Sequence, residues 1–245
     1  MNAVLIIPAR YSSSRLPGKP LKKINGIPMI KRVYNQCLEG FTGQVIVATD
    51  SKIIHDYCLS ERMESIMTST SCLTGTDRVC EASLNFDADF FINVQGDEPV
   101  FNPDDIRKFI SEIKNFRNAY DVFAAYTNID NEKHYYSNQI PKMLLNKERE
   151  LLYTSRSPIP GNKKSEFIIA HRQVCIHGYS KKALEFFASQ GKTPLEEIED
   201  LELLRFLENG IKVKMIKLSD ISIAVDNPKD ILKVESFLNN YENIK

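Results

Sequence analysis

At 245 residues and 42% apolar content, the chain can fill the core of one large domain, or of one domain with a small appendage. Lysine plus arginine and aspartate plus glutamate stand at 32 each, so no global field favours nucleic acid or an anionic membrane. Five scattered cysteines without a C-x-x-C pair read as reduced thiols of a cytoplasmic protein, and no leader peptide or apolar run long enough to cross a bilayer is visible.

Val4-Leu5-Ile6-Ile7 predicts a buried parallel strand. It runs straight into a loop, Pro8 to Lys19, that carries Arg10, Arg15 and Lys19 with Ser12, Ser13 and Ser14 between them. Ile30, Val33, Tyr34 and Cys37 recur at helical spacing and predict a helix opening at Pro28-Met29-Ile30 and running to about Leu38. A strand follows over Gln44–Asp50, then a helix over 52–61 capped by Asp50 or Ser51, then a short strand over Glu64–Met67. Thr74 starts a helix through about Leu84, Phe90–Gln95 is an apolar strand, and Asn102-Pro103-Asp104-Asp105 opens a helix to about Asn115. This alternation predicts an α/β fold with a doubly wound, mostly parallel sheet over residues 1–127.

The rhythm then breaks. Strands are predicted over Lys142–Leu145, Leu151–Tyr153 and Val174–His177, with a Pro/Gly/Lys-rich loop over Ser157–Ser165. Helices follow near 180–190 and 194–209, a strand over Lys212–Ile216 and a terminal helix over Asn227–Tyr241. The whole chain, 1–245, reads as a single α/β domain in which 128–180 form an inserted cap.

A flexible loop at the carboxyl end of a first strand is where open α/β sheets hold nucleotides. Three cations among serine hydroxyls suit an oligophosphate, since arginine offers forked hydrogen bonds and lysine a compact point charge. The loop has one glycine, so it is neither G-x-G-x-x-G nor a P-loop, and side-chain charge would do most of the holding. A solvated basic loop is the plain alternative. Downstream, Gln95-Gly96-Asp97-Glu98-Pro99 delivers Asp97 to the sheet's carboxyl edge, suited to Mg²⁺, which prefers oxygen ligands and bridges to phosphates. A capped, solvated turn is the alternative there, and for Asp226, in Val225-Asp226-Asn227-Pro228, it is an ordinary N-cap. Thr74-Gly75-Thr76-Asp77-Arg78 combines a helix N-terminus with a glycine that permits close approach; a surface helix with an exposed Arg78 is its alternative. Thr49 and Asp50 end a strand at the same edge and suit a base pocket. Cys80 reads as a small buried hydrophobe, His134, His171 and His177 as solvated or structural, and His55 as a surface helix residue.

The string R-x-x-x-x-R-L-P-G-K-P-L, Arg10 to Leu21, resembles the signature of the sugar nucleotidyltransferases, specifically the 3-deoxy-manno-octulosonate (KDO) cytidylyltransferase branch. Q-G-D-E-P at 95–99, T-G-T-D-R at 74–78, V-D-x-P at 225–228 and Y-T-S-R-x-x-I-P at 153–160 resemble further family motifs. The resemblance implies an enzyme that joins CTP to a 3-deoxy-2-ulosonic acid, giving a CMP-sugar and pyrophosphate, with Mg²⁺ held by Asp97 and Asp226. It implies catalytic roles for Asp97, Asp226, Lys19 and Arg10. Nucleotide contacts would come from Ala9, Arg10, Ser13, Arg15, Lys19, Thr49, Gly75, Thr76 and Asp97. Sugar contacts would come from Arg78, Gln95, Lys142 and Arg156, with Gln173, Tyr179 and Glu202 further on. It also implies a homodimer and a role in lipopolysaccharide or capsule biosynthesis.

Two motifs depart from the pattern. The family's R-H-L-G-I-Y-G-Y reads here Arg172-Gln173-Val174-Cys175-Ile176-His177-Gly178-Tyr179, with Gln173 for the sugar-facing histidine, and L-E-Q-L-R reads Leu201-Glu202-Leu203-Leu204-Arg205. A pocket that reads hydroxyls by hydrogen bonds loses about 1–3 kcal/mol per unpaired group, so a modified or longer ulosonic acid is implied. Two rivals stand beside this reading: a transferase using another nucleotide or a sugar 1-phosphate, and a non-catalytic nucleotide-binding module. Arg10, Arg15, Lys19, Asp97 and Asp226 occurring together argue against the module.

Overall fold

A computed structural model describes residues 1–13 and 15–242; Ser14, one of the loop hydroxyls, lies outside the described residues. The chain forms two compact units, one of residues 2–107 and 221–245, the other of Met1 and 108–220. The inserted region was expected at 128–180, well inside the second unit.

The first unit opens with β1 (Ala3–Ala9). A hairpin of β2 (Lys23–Ile24) and β3 (Ile27–Pro28) follows the cationic loop. Its two-residue turn is Asn25-Gly26 with φ of 44° and 77°, the left-handed pair that a tight hairpin demands. Next come α1 (Met29–Gly40), β4 (Gln44–Thr49), α2 (Lys52–Ser60), β5 (Ser65–Met67), α3 (Gly75–Ser83) and β6 (Phe90–Val94). β1 pairs in parallel with β4 and with β6, and β4 in parallel with β5, giving the order β6-β1-β4-β5. Leu5, Ile6 and Ile7 are fully buried, as a strand covered on both faces requires. The parallel register brings the ends of β1 and β4 together, with Ala9 opposite Thr49.

The boundary between units falls inside α4 (Pro103–Phe116). The second unit then holds β7 (Val122–Ile129), α5 (Glu132–Tyr136), β8 (Lys142–Leu145), β9 (Leu151–Ser155) and β10 (Ala170–Ser180). It continues through α6 (Lys181–Ser189), α7 (Pro194–Glu199), α8 (Leu203–Glu208) and β11 (Val213–Lys217). β11 runs parallel to β7, whereas β10 is antiparallel to both β7 and β8, and β8 to β9. The chain closes with α9 (Pro228–Glu242) in the first unit.

The α/β class with a mostly parallel sheet is as expected, and most strand and helix positions agree. β7 was not anticipated, and β10 is longer than the strand expected at 174–177. The single helix expected over 194–209 is two, because Asp200 turns left-handed at φ 52°. That break lets Glu196 on α7 meet Arg205 on α8 in a buried, two-pronged ion pair with both bonds at 2.7 Å.

Candidate active site

The cationic loop is closed at its base and pinned in the middle. Gly18, at φ 67°, donates its amide to the Tyr11 carbonyl at 3.1 Å and lies under the Tyr11 ring. Leu16 is buried in a cluster with Met29, Val100 and Val225, so the same apolar contacts that fold the loop also locate both acidic turns. The Ser13 hydroxyl accepts the Leu16 amide at 3.4 Å. Gly96 lets the second turn approach the end of β1: a Cβ there would sit 3.2 Å from the Pro8 carbonyl oxygen.

The third segment arrives from the far end of the chain. Ile223 and Val100 form a bridge, the Val225 amide donates to the Asp97 carbonyl at 2.8 Å, and Ser222 donates to the buried Glu98 carboxylate at 2.6 Å. These bonds fasten residues 222–225 along 97–100 and carry Asp226 to Asp97. The capping role falls to Asn227, whose side-chain oxygen accepts the Lys229 amide at 3.0 Å, while Asp230 accepts from the amides of Asp226 and Asn227 at 3.2 Å each. The Asp226 carboxylate is thereby left for side chains, against its reading as an ordinary cap.

Lys19 stands at the centre. Its ammonium donates to Asp97 Oδ2 at 2.8 Å, to the Val225 carbonyl at 3.1 Å and to Asp226 Oδ1 at 3.4 Å. Burial works against this charge, but Asp97 and then Asp226 outweigh it, and the pKa is raised. Arg15 adds a bond to Asp226 Oδ1 at 3.1 Å from the solvent side. Four of the predicted residues are thus brought together, and the pairs among them leave Asp97 Oδ1 buried without a partner. Arg10 is exposed just beyond β1 and joins none of these ion pairs among the described residues.

The donor set suits a hard divalent cation. Magnesium takes one or two carboxylates and completes its shell with water and phosphate oxygens, and the unsatisfied Oδ1 of Asp97 fits such a role. No grouping of three or more histidine, cysteine, aspartate or glutamate side chains that suits a metal occurs among the described residues.

Thr49, at the end of β4, and Thr76, in the first turn of α3, are fully buried. Gly75 begins α3, and the capping box of Thr74 and Asp77 holds the helix start, with the Thr74 hydroxyl accepting the Asp77 amide at 3.1 Å. Arg78 is buried, not exposed: it bonds Asp50 at 2.8 Å and the Thr68 hydroxyl at 2.5 Å. Gln95 is half-buried at the end of β6.

In the second unit two of the residues expected to contact the sugar are fully buried. Lys142 is fully buried, with its three donors on the carbonyls of Ser137, Ile140 and Arg156 at 2.6–2.9 Å. Desolvation lowers its pKa to about 8. Tyr179 is also fully buried, and its hydroxyl faces His177 Nδ1 at 3.1 Å. Arg156 spends its guanidinium on the carbonyls of Glu199, Asn138 and Asp200 at 2.6, 3.2 and 3.2 Å. Glu202 sits at the N-cap of α8, and Leu203 beside it is core. Gln173 remains half-buried with its amide Nε2 at 3.0 Å from His177 Nε2. Sequence reasoning overlooked Glu199, which binds the Ser155 hydroxyl at 2.5 Å and the Arg156 amide at 2.8 Å, and nothing local marks it. It also undervalued His177, which occupies the tyrosine position of R-H-L-G-I-Y-G-Y. Reading that motif letter by letter would have shown a paired change.

A parallel sheet whose first loop offers cations beside two convergent carboxylates defines a nucleotidyltransferase. The cytidylyltransferase family profile matches residues 4–217, and the chain belongs to that family. The 3-deoxy-manno-octulosonate cytidylyltransferase of Geobacter metallireducens is 35% identical, over 99% of this chain and 100% of its own length. The 8-amino-3,8-dideoxy-manno-octulosonate cytidylyltransferase of Shewanella sp. (strain ANA-3) is also 35% identical, over 97% of this chain and 99% of its own. The solved structure of CMP:2-keto-3-deoxy-manno-octonic acid synthetase complexed with CTP superposes with a TM-score of 0.91 at 33% identity, covering 98% of this chain and 100% of that one.

Proposed function

We propose that this enzyme transfers the cytidylyl group of CTP to the anomeric hydroxyl of a 3-deoxy-2-ulosonic acid in a Mg²⁺-dependent reaction that releases pyrophosphate. The observation that carries the reading is the Lys19 ammonium shared between Asp97 and Asp226 at the end of β1. The hydroxyl oxygen bonds to the α-phosphorus as the bond to the β-phosphate bridging oxygen breaks, and the hydroxyl proton leaves to solvent. Mg²⁺ held by Asp97 and Asp226 supplies charge neutralisation at the phosphate. Arg15 and Lys19 can turn from their carboxylates to the triphosphate and carry the charge of the departing pyrophosphate; exposed Arg10 can join them. Little covalent work falls to side chains, so positioning dominates.

Full-length relatives with KDO-type and 8-amino KDO-type names support a ulosonic acid as acceptor, and Gln173 points to a modified one. Five cysteines outside any disulfide support a reducing cytoplasm, and no helix among the described residues is long and apolar enough to cross a membrane. The reading includes a homodimer, for which the exposed Leu152, Ile168 and Ile169 supply apolar surface. The test is pyrophosphate release with each of the four ribonucleoside triphosphates against a panel of 3-deoxy-ulosonic acids, amino-substituted ones included, with and without Mg²⁺. Release with CTP alone, dependent on the metal, is expected. Release with another nucleotide, or from a sugar 1-phosphate, would overturn the assignment.

A further inference from the structure

Residues four apart on a regular strand stand about 13 Å apart, too far for direct contact between most side chains. Gln173 and His177 on β10 nevertheless share a hydrogen bond at 3.0 Å. The register on β7 explains it. Gln173 lies opposite Tyr126, His177 opposite Ala124 and Tyr179 opposite Val122, and the pairing shifts between Val174 and His177. Cys175 and Ile176 are the surplus, so a four-residue step on β10 spans a two-residue step on β7. The bulge places Gln173, His177 and Tyr179 in one row on one face, about 7 Å per step.

This row has a rigid end and an open end. Tyr179 and His177 are buried at 0% and 2% exposure, and the Tyr179 ring stacks on Phe206 with centroids 5.7 Å apart. Gln173 is only half-buried, and its Oε1 has no partner among the described residues. Desolvation keeps the His177 imidazole neutral, with a pKa near 4. A neutral ring has one donor and one acceptor. With Nε2 accepting from the Gln173 amide as oriented in the structure, Nδ1 carries the proton and donates to Tyr179. Gln173 is then fixed with its carbonyl oxygen on the open side.

We infer that His177 is a positioning residue for substrate selection: backed by Tyr179, it holds Gln173 so that Oε1 accepts a hydrogen bond from a hydroxyl or ammonium of the sugar acid. The inference rests on the ulosonic-acid reading above and adds which face of the second unit reads that acid, and with what polarity. It concerns Gln173 as found here, with an imidazole behind it.

The test is a double-mutant cycle with Gln173→Ala, His177→Phe and the combined variant, reading KM for the sugar acid and for CTP separately. Each single change is expected to raise the sugar-acid KM about tenfold, the loss of one buried hydrogen bond, with CTP KM unchanged. The combined variant is expected to match Gln173→Ala alone, because His177 has nothing left to hold. Additive effects would overturn the positioning role, as would an unchanged sugar KM in His177→Phe. An unchanged sugar KM in Gln173→Ala would overturn the contact itself while the transferase reading stands; a wild-type protein that turns over no ulosonic acid would overturn both. Should His177→Phe fail to fold, Tyr179→Phe removes one oxygen from the same row. It is expected to raise the sugar KM in the wild-type background and not in Gln173→Ala; parallel effects in both would sink the inference.

Discussion

Lys19 satisfies its charge with two carboxylates and a carbonyl; among the described residues neither carboxylate pairs with a second lysine, although Arg15 also reaches Asp226. Asp97→Asn keeps the size of the side chain, removes its charge, and leaves one oxygen where the carboxylate offers one to Lys19 and an unpartnered one that suits a metal. Its expected effect is a loss of at least about 100-fold in kcat/KM, equivalent to about 3 kcal/mol of transition-state stabilisation, with thermal stability little changed. A variant retaining more than a tenth of the activity would remove Asp97 from the chemistry. His177 makes a separate prediction on pH. Burial lowers its pKa from 6.5 to about 4, so between those values the unfolded chain binds a proton that the folded chain does not. Stability therefore falls as pH drops from about 6.5 to about 4, by up to about 3 kcal/mol from this group. His177→Phe should show a shallower fall across that window in urea midpoints; an identical slope would place the acid sensitivity elsewhere.

At the scale of elements, α7 and α8 are held by one ion pair with both partners in the core. The Arg205 side chain is 3% exposed, Glu196 is 1% exposed, and the guanidinium lies 3.6 Å over the Phe187 ring. Removing one charge strands the other, so Glu196→Gln is expected to cost about 3–5 kcal/mol in chemical denaturation, and replacing both residues by apolar ones of similar size less than that. Equal costs would show that the pair adds nothing beyond packing. This pair, like the Glu199 contacts, was invisible from sequence because its partners meet through a break at Asp200, and one aspartate in an acidic run is a weak turn signal without a glycine or proline beside it. The Asn25-Gly26 hairpin was legible and went unread. What sequence could carry was local: an apolar strand, its cationic loop, an acidic turn after the next apolar strand. The burial of Lys142, the bulge at Cys175 and Ile176, and the choice between cap and ligand for Asp226 depend on neighbours distant in sequence. There periodicity is silent.

For the whole molecule, the four clustered residues all belong to the unit of residues 2–107 and 221–245. Ligand binding there should stabilise that unit first. CTP with Mg²⁺ at about 100 times its dissociation constant contributes about 2.7 kcal/mol, a rise of about 5–10 °C in Tm for a chain of this size. Asp226→Asn should abolish the part of the rise that depends on the metal. In hydrogen exchange the new protection is expected at residues 8–19, 95–98 and 225–227; protection confined to 108–220 would mean that the nucleotide binds elsewhere.

Two aspartates facing one another without a counterion would push their loops apart, and a metal arriving later would have to pull them back. Here a tethered cation already occupies the place between them. The two acidic turns are therefore held together by the chain's own charge, and a ligand taking these carboxylates would exchange partners with little rearrangement to oppose it. A divalent ion would meet the unpartnered Oδ1 of Asp97 directly and would compete with Lys19 for Asp226, and the group best able to draw the lysine away is a polyphosphate. Metal and nucleotide would then each ease the other's arrival through a single side chain.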